Sequence, residues 1–418
     1  MDAGRIAQFL AACCLAAAMT EPRDDPPAFH VSPPAWLGQG APAAVLAALP
    51  GARVVGGAVR DLLAGRDVQD VDVAVALPPE QAAGRLRHAG LKVFETGLAH
   101  GTVTAVLDHQ PVEVTSLRRD LLTDGRHAEV AWSTDWREDA ARRDFTINAL
   151  SMDAAGNVWD YFAGRADLAA GVVRFVGDPA TRMAEDYLRV LRFFRFQARY
   201  GRGAPDAAAL DAIRAAVPGL ARLSAERVWM ELKRLLQAPD PAPALALMRQ
   251  AGVLAAVLPE AAPDEAPLHR LPPAADPLLR LAALLNPGAE ATALARRLRF
   301  SAQEEATLRR LLDPALRPAP GLDGDALRRW LAEAPAGLEA DLAAMAEATD
   351  GEDRAALRAR IAGTPRPVFP LQGRDALAAG IPPGPAVGQA LAEVRRWWME
   401  GGCTAGAAAC RARLMLPE

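Results

Sequence analysis

Apolar and polar positions follow two different rhythms along this chain. From residue 52 to about 162 the apolar residues come in short, Val-rich runs at Arg53–Val55, 71–76, Thr102–Leu107 and 111–115. Gly-bearing turns and Ala-rich stretches separate them. Short runs bounded by turn residues read as strands. After Val176 the runs fade, and apolar residues recur every three to four positions over 182–200, 207–217 and Ala225–Leu236. That spacing predicts helices. Pro239, Pro241 and Pro243 mark a break, and further Ala/Leu helices are punctuated by prolines within 263–273, 314–320 and 365–370. No repeat of fixed period is present. The pattern predicts an α/β head with a small mixed sheet, followed by a long all-α body.

Composition changes this picture little. The 418 residues are 51% hydrophobic and 23% charged, with a net charge of −4. That argues against a globally basic polyanion binder and against wholesale disorder. Two lysines, Lys92 and Lys233, stand against 45 arginines, a skew of the kind GC-rich coding produces. Abundant Arg is therefore not evidence of nucleic-acid binding by itself. The four cysteines, Cys13, Cys14, Cys403 and Cys410, show neither C-x-x-C nor zinc-ligand spacing. Buried or incidental thiols are expected. The apolar stretch 6–19 is too short to span a bilayer. It has some character of a signal h-region, but Asp2 and Arg5 leave it little net positive charge, and Met19 would suit a true start. An upstream extension or an ordinary N-terminal helix is the expectation. Residues 20–35 are Pro-rich and read as a loose lead-in. No transmembrane helix is expected.

Candidate chemistry begins at Asp70-Val-Asp72-Val-Ala-Val75. On a strand, Asp70 and Asp72 would point to one face. Two like charges that close are costly unless a divalent cation lies between them. A third acid, Glu113, sits among apolar residues in another short run. Two acids on one strand and one on a neighbour suit two-metal phosphoryl chemistry; two surface acids near a strand end are the plain alternative. Upstream, Val54-Val55-Gly56-Gly57-Ala-Val-Arg60-Asp61 runs from strand to Gly pair to helix. Backbone N–H groups and Arg60 would there face an anion.

These residues resemble the signature of class II CCA-adding enzymes and bacterial poly(A) polymerases, within the polymerase-β-like nucleotidyltransferases. Asp139-Ala-Ala-Arg142-Arg143-Asp144-Phe-Thr-Ile-Asn148-Ala-Leu150 is similar to the family's RRDFTINAL motif. Glu185-Asp186-Tyr187-Leu188-Arg189 resembles EDPLR, with Tyr187 where Pro is usual. Ser224-Ala-Glu226-Arg227 with Glu231-Leu232 resembles a fifth motif. The resemblance implies a nucleotidyltransferase head over 36–165 after an extension over 1–35. A helical neck over 166–238, a body over 239–335 and a tail over 336–418 follow.

The resemblance also implies roles. Asp70 and Asp72 would hold two Mg²⁺ ions, with Glu113 as third carboxylate. Gly56, Gly57 and Arg60 would cradle the triphosphate. Asp144 and Asn148, four apart in a helical stretch, would read the ribose 2′-OH; Asp144 also suits a helix N-cap. Asp186 and Arg189, three apart on the next helix, offer an acceptor beside a donor fork, which fits the pairing edges of A and C and mismatches G and U. An ordinary i,i+3 ion pair is the alternative. Arg143, Arg192 and Arg195 are further candidate nucleotide or RNA contacts. Residues 182–202 carry six Arg against two acids, a stripe facing either polyanion or solvent. The turn 123–127 with Arg126 is either a mobile coupling loop or a plain surface turn. Near the end, Gly384 and Gly388 hold an RNA phosphate or form a structural turn, and Trp397 and Trp398 read as packing residues. No His-Asp dipeptide occurs.

The implied function is a template-independent tRNA nucleotidyltransferase that adds the 3′-terminal CCA from CTP and ATP. The alternative is a poly(A) polymerase, whose members often carry a basic extension that Pro417-Glu418 does not provide. The expected partner is the tRNA 3′ end, with no DNA and no membrane, in the cytoplasm.

Overall fold

The structure is a computed structural model that describes residues 25–98, 101–123 and 128–415. The chain divides into two compact units. One holds the residues through Leu223 together with Ala244–Ala256, and the other holds Ser224–Pro243 and everything from Val257 onward. The boundary expected near residue 165 falls inside the first unit.

Ten strands lie in that unit: β1 (Phe29–His30), β2 (Arg53–Val55), β3 (Asp72–Val75), β4 (Lys92–Gly97), β5 (Thr102–Leu107), β6 (Gln110–Ser116), β7 (Arg118–Thr123), β8 (Ala128–Trp132), β9 (Leu150–Met152) and β10 (Asn157–Asp160). Eight form one sheet in the order β1-β10-β9-β2-β3-β6-β5-β4, while β7 and β8 form a separate ribbon. The sheet is mixed, as expected, because β3 and β6 run parallel and the other pairs antiparallel. It is larger than the small sheet the sequence suggested. The extra strands are short or weakly alternating, so their pairing depends on neighbours rather than local pattern.

β1 also corrects the reading of residues 20–35 as a loose lead-in. Phe29 pairs with Val158 across β10, and Val31 N–H donates to the Gly156 carbonyl at 2.9 Å. A two-residue edge strand tolerates flanking prolines because only one side must bond.

The helices of this unit are α1 (Gly40–Ala48), α2 (Gly57–Leu63), α3 (Pro79–His88), α4 (Trp136–Ala141), α5 (Gly164–Ala170), α6 (Pro179–Glu185), α7 (Leu188–Tyr200) and α8 (Ala207–Ala216). Val45, Ala82 and Leu86 of α1 and α3 pack on Val73, Val75, Val103, Val112 and Val114 of the sheet. A second apolar centre joins Phe145 to Phe175 and Phe196, with ring centroids 4.8 and 5.2 Å apart. It ties the segment before β9 to α7. The Arg53 guanidinium is sandwiched between Trp136 at 4.1 Å and Trp159 at 3.5 Å and donates to the Tyr161 hydroxyl at 3.4 Å, which helps to satisfy a buried cation.

The second unit is helical in its described residues, beginning with α9 (Ala225–Leu236). Free Cys403 and Cys410 are buried there with Trp398, Leu371 and Val394, while Trp397 packs beside them. Gly384 precedes the helix Pro385–Glu400. Glu304 links α9 to the helix Ala302–Leu312. Its carboxylate accepts from Trp229 Nε1 at 3.1 Å and Lys233 Nζ at 2.9 Å, and it closes a capping box with Ser301. Burial would raise its pKa, but Lys233, Ser301 and Trp229 hold it down to about 2. A depressed carboxyl contributes stability above its unfolded pKa and loses it as pH falls through the folded value. Glu304→Gln is therefore expected to cost about 1–2 kcal/mol near neutrality. The deficit should shrink between the ordinary 4.5 and about 2. Thermal melts of the full chain at pH 7 and pH 3 check this; an equal deficit at both would remove the charge-based account. Among the described residues no helix is long and apolar enough to cross a membrane.

Candidate active site

Strand register assembles the carboxylates. β3 begins at Asp72, and Asp70 lies just before it rather than inside it. Val73, Ala74 and Val75 are buried, so the strand is held from its apolar end and presents Asp72 at its mouth. Asp72 stands opposite Glu113 on β6 and opposite Val55 on β2. On β6 the exposed Glu113 alternates with buried Val112 and Val114. Asp70, Asp72 and Glu113 are all exposed at this edge. Desolvation raises the Asp72 pKa first; the Glu113 and Asp70 charges push the same way, against the pull of Arg143. Mutual repulsion of clustered acids is relieved by a hard cation. Among the described residues no group of three His, Cys, Asp or Glu side chains is placed to hold an ion unaided. One or two carboxylates completed by substrate phosphates and water is the ordinary way Mg²⁺ is bound, and this donor set fits it.

Val55 leads directly into the Gly56-Gly57 turn, and Gly56 N–H donates to the Leu150 carbonyl at 3.1 Å. Gly56 has φ +66°, and a Cβ there would lie 3.0 Å from Arg143 Nη1. The Gly keeps the backbone open to that guanidinium. Arg143 is held from behind. Its Nη2 pairs with Asp139 at 3.1 Å, while Arg142 takes the other oxygen of the same carboxylate at 2.6 Å. Asp139 is only 2% exposed. Burial alone would raise its pKa, but Arg143 and Arg142 outweigh burial and hold it low.

Arg60, expected as a phosphate fork, is engaged within the protein. It is buried, and its guanidinium donates to Asp61 at 2.9 Å and to Asn148 Oδ1 at 2.5 Å. Asp61 follows it directly and Asn148 comes from the segment before β9, so both engage the guanidinium, while its Nη2 lies 3.6 Å from where a Cβ on Gly57 would fall. Tyr200 at the end of α7 donates to the same Asp61.

Asp144 and Asn148 meet, though not on an α-helix. Residues Thr146–Asn148 form a 3-10 turn, and Asn148 Nδ2 donates to Asp144 Oδ1 at 2.9 Å. The N-cap position of that turn is Phe145, so Asp144 does not cap it in the expected way; its carboxylate accepts from the Phe145 N–H at 2.8 Å. Arg192 Nε donates to the other oxygen at 2.7 Å. Burial opposes ionisation of Asp144, but Arg192 and Asn148 reverse this and keep its pKa low. Tyr200, Asp61, Arg60, Asn148, Asp144 and Arg192 thus form one continuous polar chain.

The helix expected over 182–200 is broken. α6 ends at Glu185, and Asp186 occupies the break, accepting from the Leu188 N–H at 3.0 Å. Asp186 and Arg189 therefore do not share one helical face. Arg189 donates to the carbonyls of Arg182 at 2.8 Å and Arg142 at 3.2 Å, and it pairs with Glu185. Tyr187 leads into α7, and its ring lies where a Cβ on Gly219 would fall. The arginine stripe is likewise internally engaged: Arg182 pairs with Glu185, Arg192 with Asp144, and Arg195 lies 4.2 Å from the Phe196 ring centroid. Arg126, Cys13 and Cys14 lie outside the described residues.

Sequence reasoning assigned no role to Asp139, Asp61, Tyr200 or Glu185. Asp139 had a readable signal, since it stands three and four residues before Arg142 and Arg143. Tyr200 had none, because its partner lies far away in the chain.

Family comparison agrees with this arrangement. The family model described as Poly A polymerase head domain matches residues 52–174, and that described as Probable RNA and SrmB- binding site of polymerase A matches 205–265. Among curated proteins, the mitochondrial CCA tRNA nucleotidyltransferase 1 of Danio rerio is 48% identical over 187 residues, which is 44% of this chain and 43% of that protein. The CCA-adding enzyme of Geobacillus stearothermophilus is 40% identical over 218 residues, 51% of this chain and 52% of that protein. The matched segment thus spans about half the length of these relatives. Among solved structures, the Bacillus stearothermophilus CCA-adding enzyme in complex with CTP superposes with a TM-score of 0.71 at 29% identity, covering 89% of this chain and 95% of that one. In its head segment and in its fold the chain is thus similar to CCA-adding enzymes and to the Poly A polymerase head domain.

Proposed function

We propose that this chain is a tRNA nucleotidyltransferase that completes or repairs the 3′-terminal CCA from CTP and ATP without a nucleic-acid template. The observation that carries the reading is Asp72 held in register with Glu113, beside the Gly56-Gly57 turn. Relatives named CCA-adding enzymes support the choice of tRNA, CTP and ATP. With tRNA as substrate, the reading keeps the cytoplasmic location expected from the sequence.

Enzymes of this fold generally use divalent metal ions. Two Mg²⁺ ions on Asp70 and Asp72, with Glu113 beside them, are our finer reading; when bound, they would acidify the attacking 3′-OH and neutralise the triphosphate and leaving pyrophosphate. Gly56, Gly57 and Arg143 would hold the triphosphate. Arg60 acts behind them, orienting Asn148. Asp144 and Asn148 would bond the ribose hydroxyl, with Arg192 keeping Asp144 ionised. Asp186 and Arg189 would read the base edge, with Arg189 exchanging its hold on Glu185 for the base. Arg195 remains a proposed RNA contact.

The test uses purified full chain, Mg²⁺ and tRNA transcripts ending before CCA, after CC, or complete, with CTP and ATP singly and together. Addition of C, C and A once each supports the reading. Long A tails on any RNA would instead make it a poly(A) polymerase, and no incorporation would mark a binding protein without catalysis. If Asp186 reads the base, Asp186→Ala should raise GTP and UTP incorporation at least tenfold relative to CTP and ATP, because the mismatched edge no longer meets an acceptor. Unchanged discrimination would remove that role.

A further inference from the structure

A second concentration of charge lies in the first unit, away from the carboxylates. A cavity of about 360 Å³ is lined by Arg66, Arg165, Arg199 and Arg202 around Tyr200, and no acidic side chain lines it. Three helix C-termini converge there, since Ala64, Ala169 and Tyr200 line it at the ends of α2, α5 and α7. Arg66 donates to the Arg199 carbonyl at 2.7 Å, and Arg202 donates to the carbonyls of Leu168 at 3.2 Å and Ala169 at 3.0 Å. These bonds satisfy orphan carbonyls at helix ends. They occupy one nitrogen of each guanidinium, which carries five N–H donors. Arg165 lies 4.1 Å from the Phe29 ring centroid, and Arg199 lies 6.0 Å from that of Tyr200.

The contrast within the unit is informative. Arg142, Arg143, Arg182, Arg189 and Arg192 each face a carboxylate. Among the described residues no carboxylate pairs with any of the four arginines of the cavity. All four are exposed, so water screens their mutual repulsion and an anion can reach them. Helix capping accounts for Arg66 and Arg202 but not for the presence of Arg165 and Arg199 in the same cavity. Guanidinium forks match phosphate oxygens in pairs.

We propose that this cavity is a phosphate-binding site separate from the Asp72–Glu113 centre. The ligand chemistry is a phosphate group, supplied by an RNA backbone or by a free di- or polyphosphate. The proposal does not depend on which nucleotidyl transfer the enzyme performs.

The test uses the full chain in EDTA, so that phosphate cannot be held through a divalent ion at the carboxylates. Pyrophosphate binding is measured by calorimetry, and affinity for a tRNA transcript is measured across a salt series. The variants are Arg66→Ala/Arg202→Ala, its charge-keeping counterpart Arg66→Lys/Arg202→Lys, and Arg165→Glu at an exposed position. Arg85→Glu on α3, exposed and outside the cavity lining, is the control for general charge. The Ala pair and Arg165→Glu are expected to weaken binding about tenfold and the Lys pair by less, because it keeps the charge but loses the fork, while Arg85→Glu stays within about twofold. A loss confined to pyrophosphate assigns a free polyphosphate ligand. A loss for tRNA, with the slope of log affinity against log salt reduced by about one to two, assigns RNA backbone. Should the Ala pair fail to fold, Arg165→Glu decides alone. Folded Arg165→Glu that binds both probes as wild type does, or an equal loss in Arg85→Glu, overturns the proposal.

Discussion

Asp72→Asn is expected to lower nucleotide transfer by about a thousandfold or more while leaving the chain folded. The reason is the register: Asp72 faces Glu113 across a parallel pair and is the strand residue nearest the Gly56-Gly57 turn. An amide keeps the shape but removes a charge that a hard cation needs, and about 4 kcal/mol of transition-state stabilisation corresponds to three decades in rate. Stability should move the other way. Desolvation and the nearby acids Glu113 and Asp70 raise the Asp72 pKa, so at neutral pH its charge is unfavourable to the folded state. The variant should therefore melt at or above the wild-type temperature. Single-turnover incorporation and thermal melts read the two effects. Near-wild-type turnover would sink the metal assignment, and a lowered melting temperature would sink the electrostatic account.

Asp139→Ala is expected to act through stability, losing about 3 kcal/mol at neutral pH. Asp139 is nearly fully buried and takes Arg142 and Arg143 on its two oxygens. Removing one partner of a buried pair costs about 3–5 kcal/mol because the other charge is left uncompensated. Arg142 and Arg143 retain some exposure, which places this case at the lower end. The Asp139 carboxyl is held below its ordinary 3.8, so its contribution is present above that value and lost as pH falls toward the folded pKa. Denaturant titrations of wild type and variant should diverge at pH 7, and the gap should narrow as pH falls below 3.8. A loss under about 0.5 kcal/mol at pH 7 would show that the arginines find other partners. Activity should fall with stability, because Arg143 would lose its hold beside Gly56 and Asp72.

The two variants bracket how the site is built. Asp72 is displayed at a strand mouth, where charge is costly and useful; Asp139 is hidden, where charge pairing sets the position of the displayed groups. The arginines near the proposed nucleotide site mostly belong to the second class. Arg60, Arg189 and Arg192 are each committed to a carboxylate or amide within the protein. In the cavity around Tyr200, by contrast, four arginines gather with no acid in the lining.

Much of this was legible in the chain. The runs at Arg53–Val55 and Thr102–Leu107 read directly as strands, and Ala225–Leu236 read as a helix. These segments carry their periodicity within a few residues, so local pattern suffices. The clustering of Asp72 with Glu113 and the Gly pair was legible for the same reason, as was the likeness to CCA-adding enzymes. β1, β4, β7, β8, β9 and β10 were not. Phe29–His30 has no pattern to read, and its identity as a strand comes from β10 lying beside it.

The sequence by itself determined the order of chemical groups, the switch from strand to helix near Val176, and the resemblance carried by spaced motifs. Tertiary structure decided which of those groups face each other. It turned Arg60 inward to Asn148, broke the expected helix at Asp186, and placed Tyr200 against Asp61 across a separation of 139 residues. The physical reason is that periodicity and propensity act over a turn or two of chain. Partner choice for a buried charge instead depends on which opposite charge the fold brings within a few ångströms.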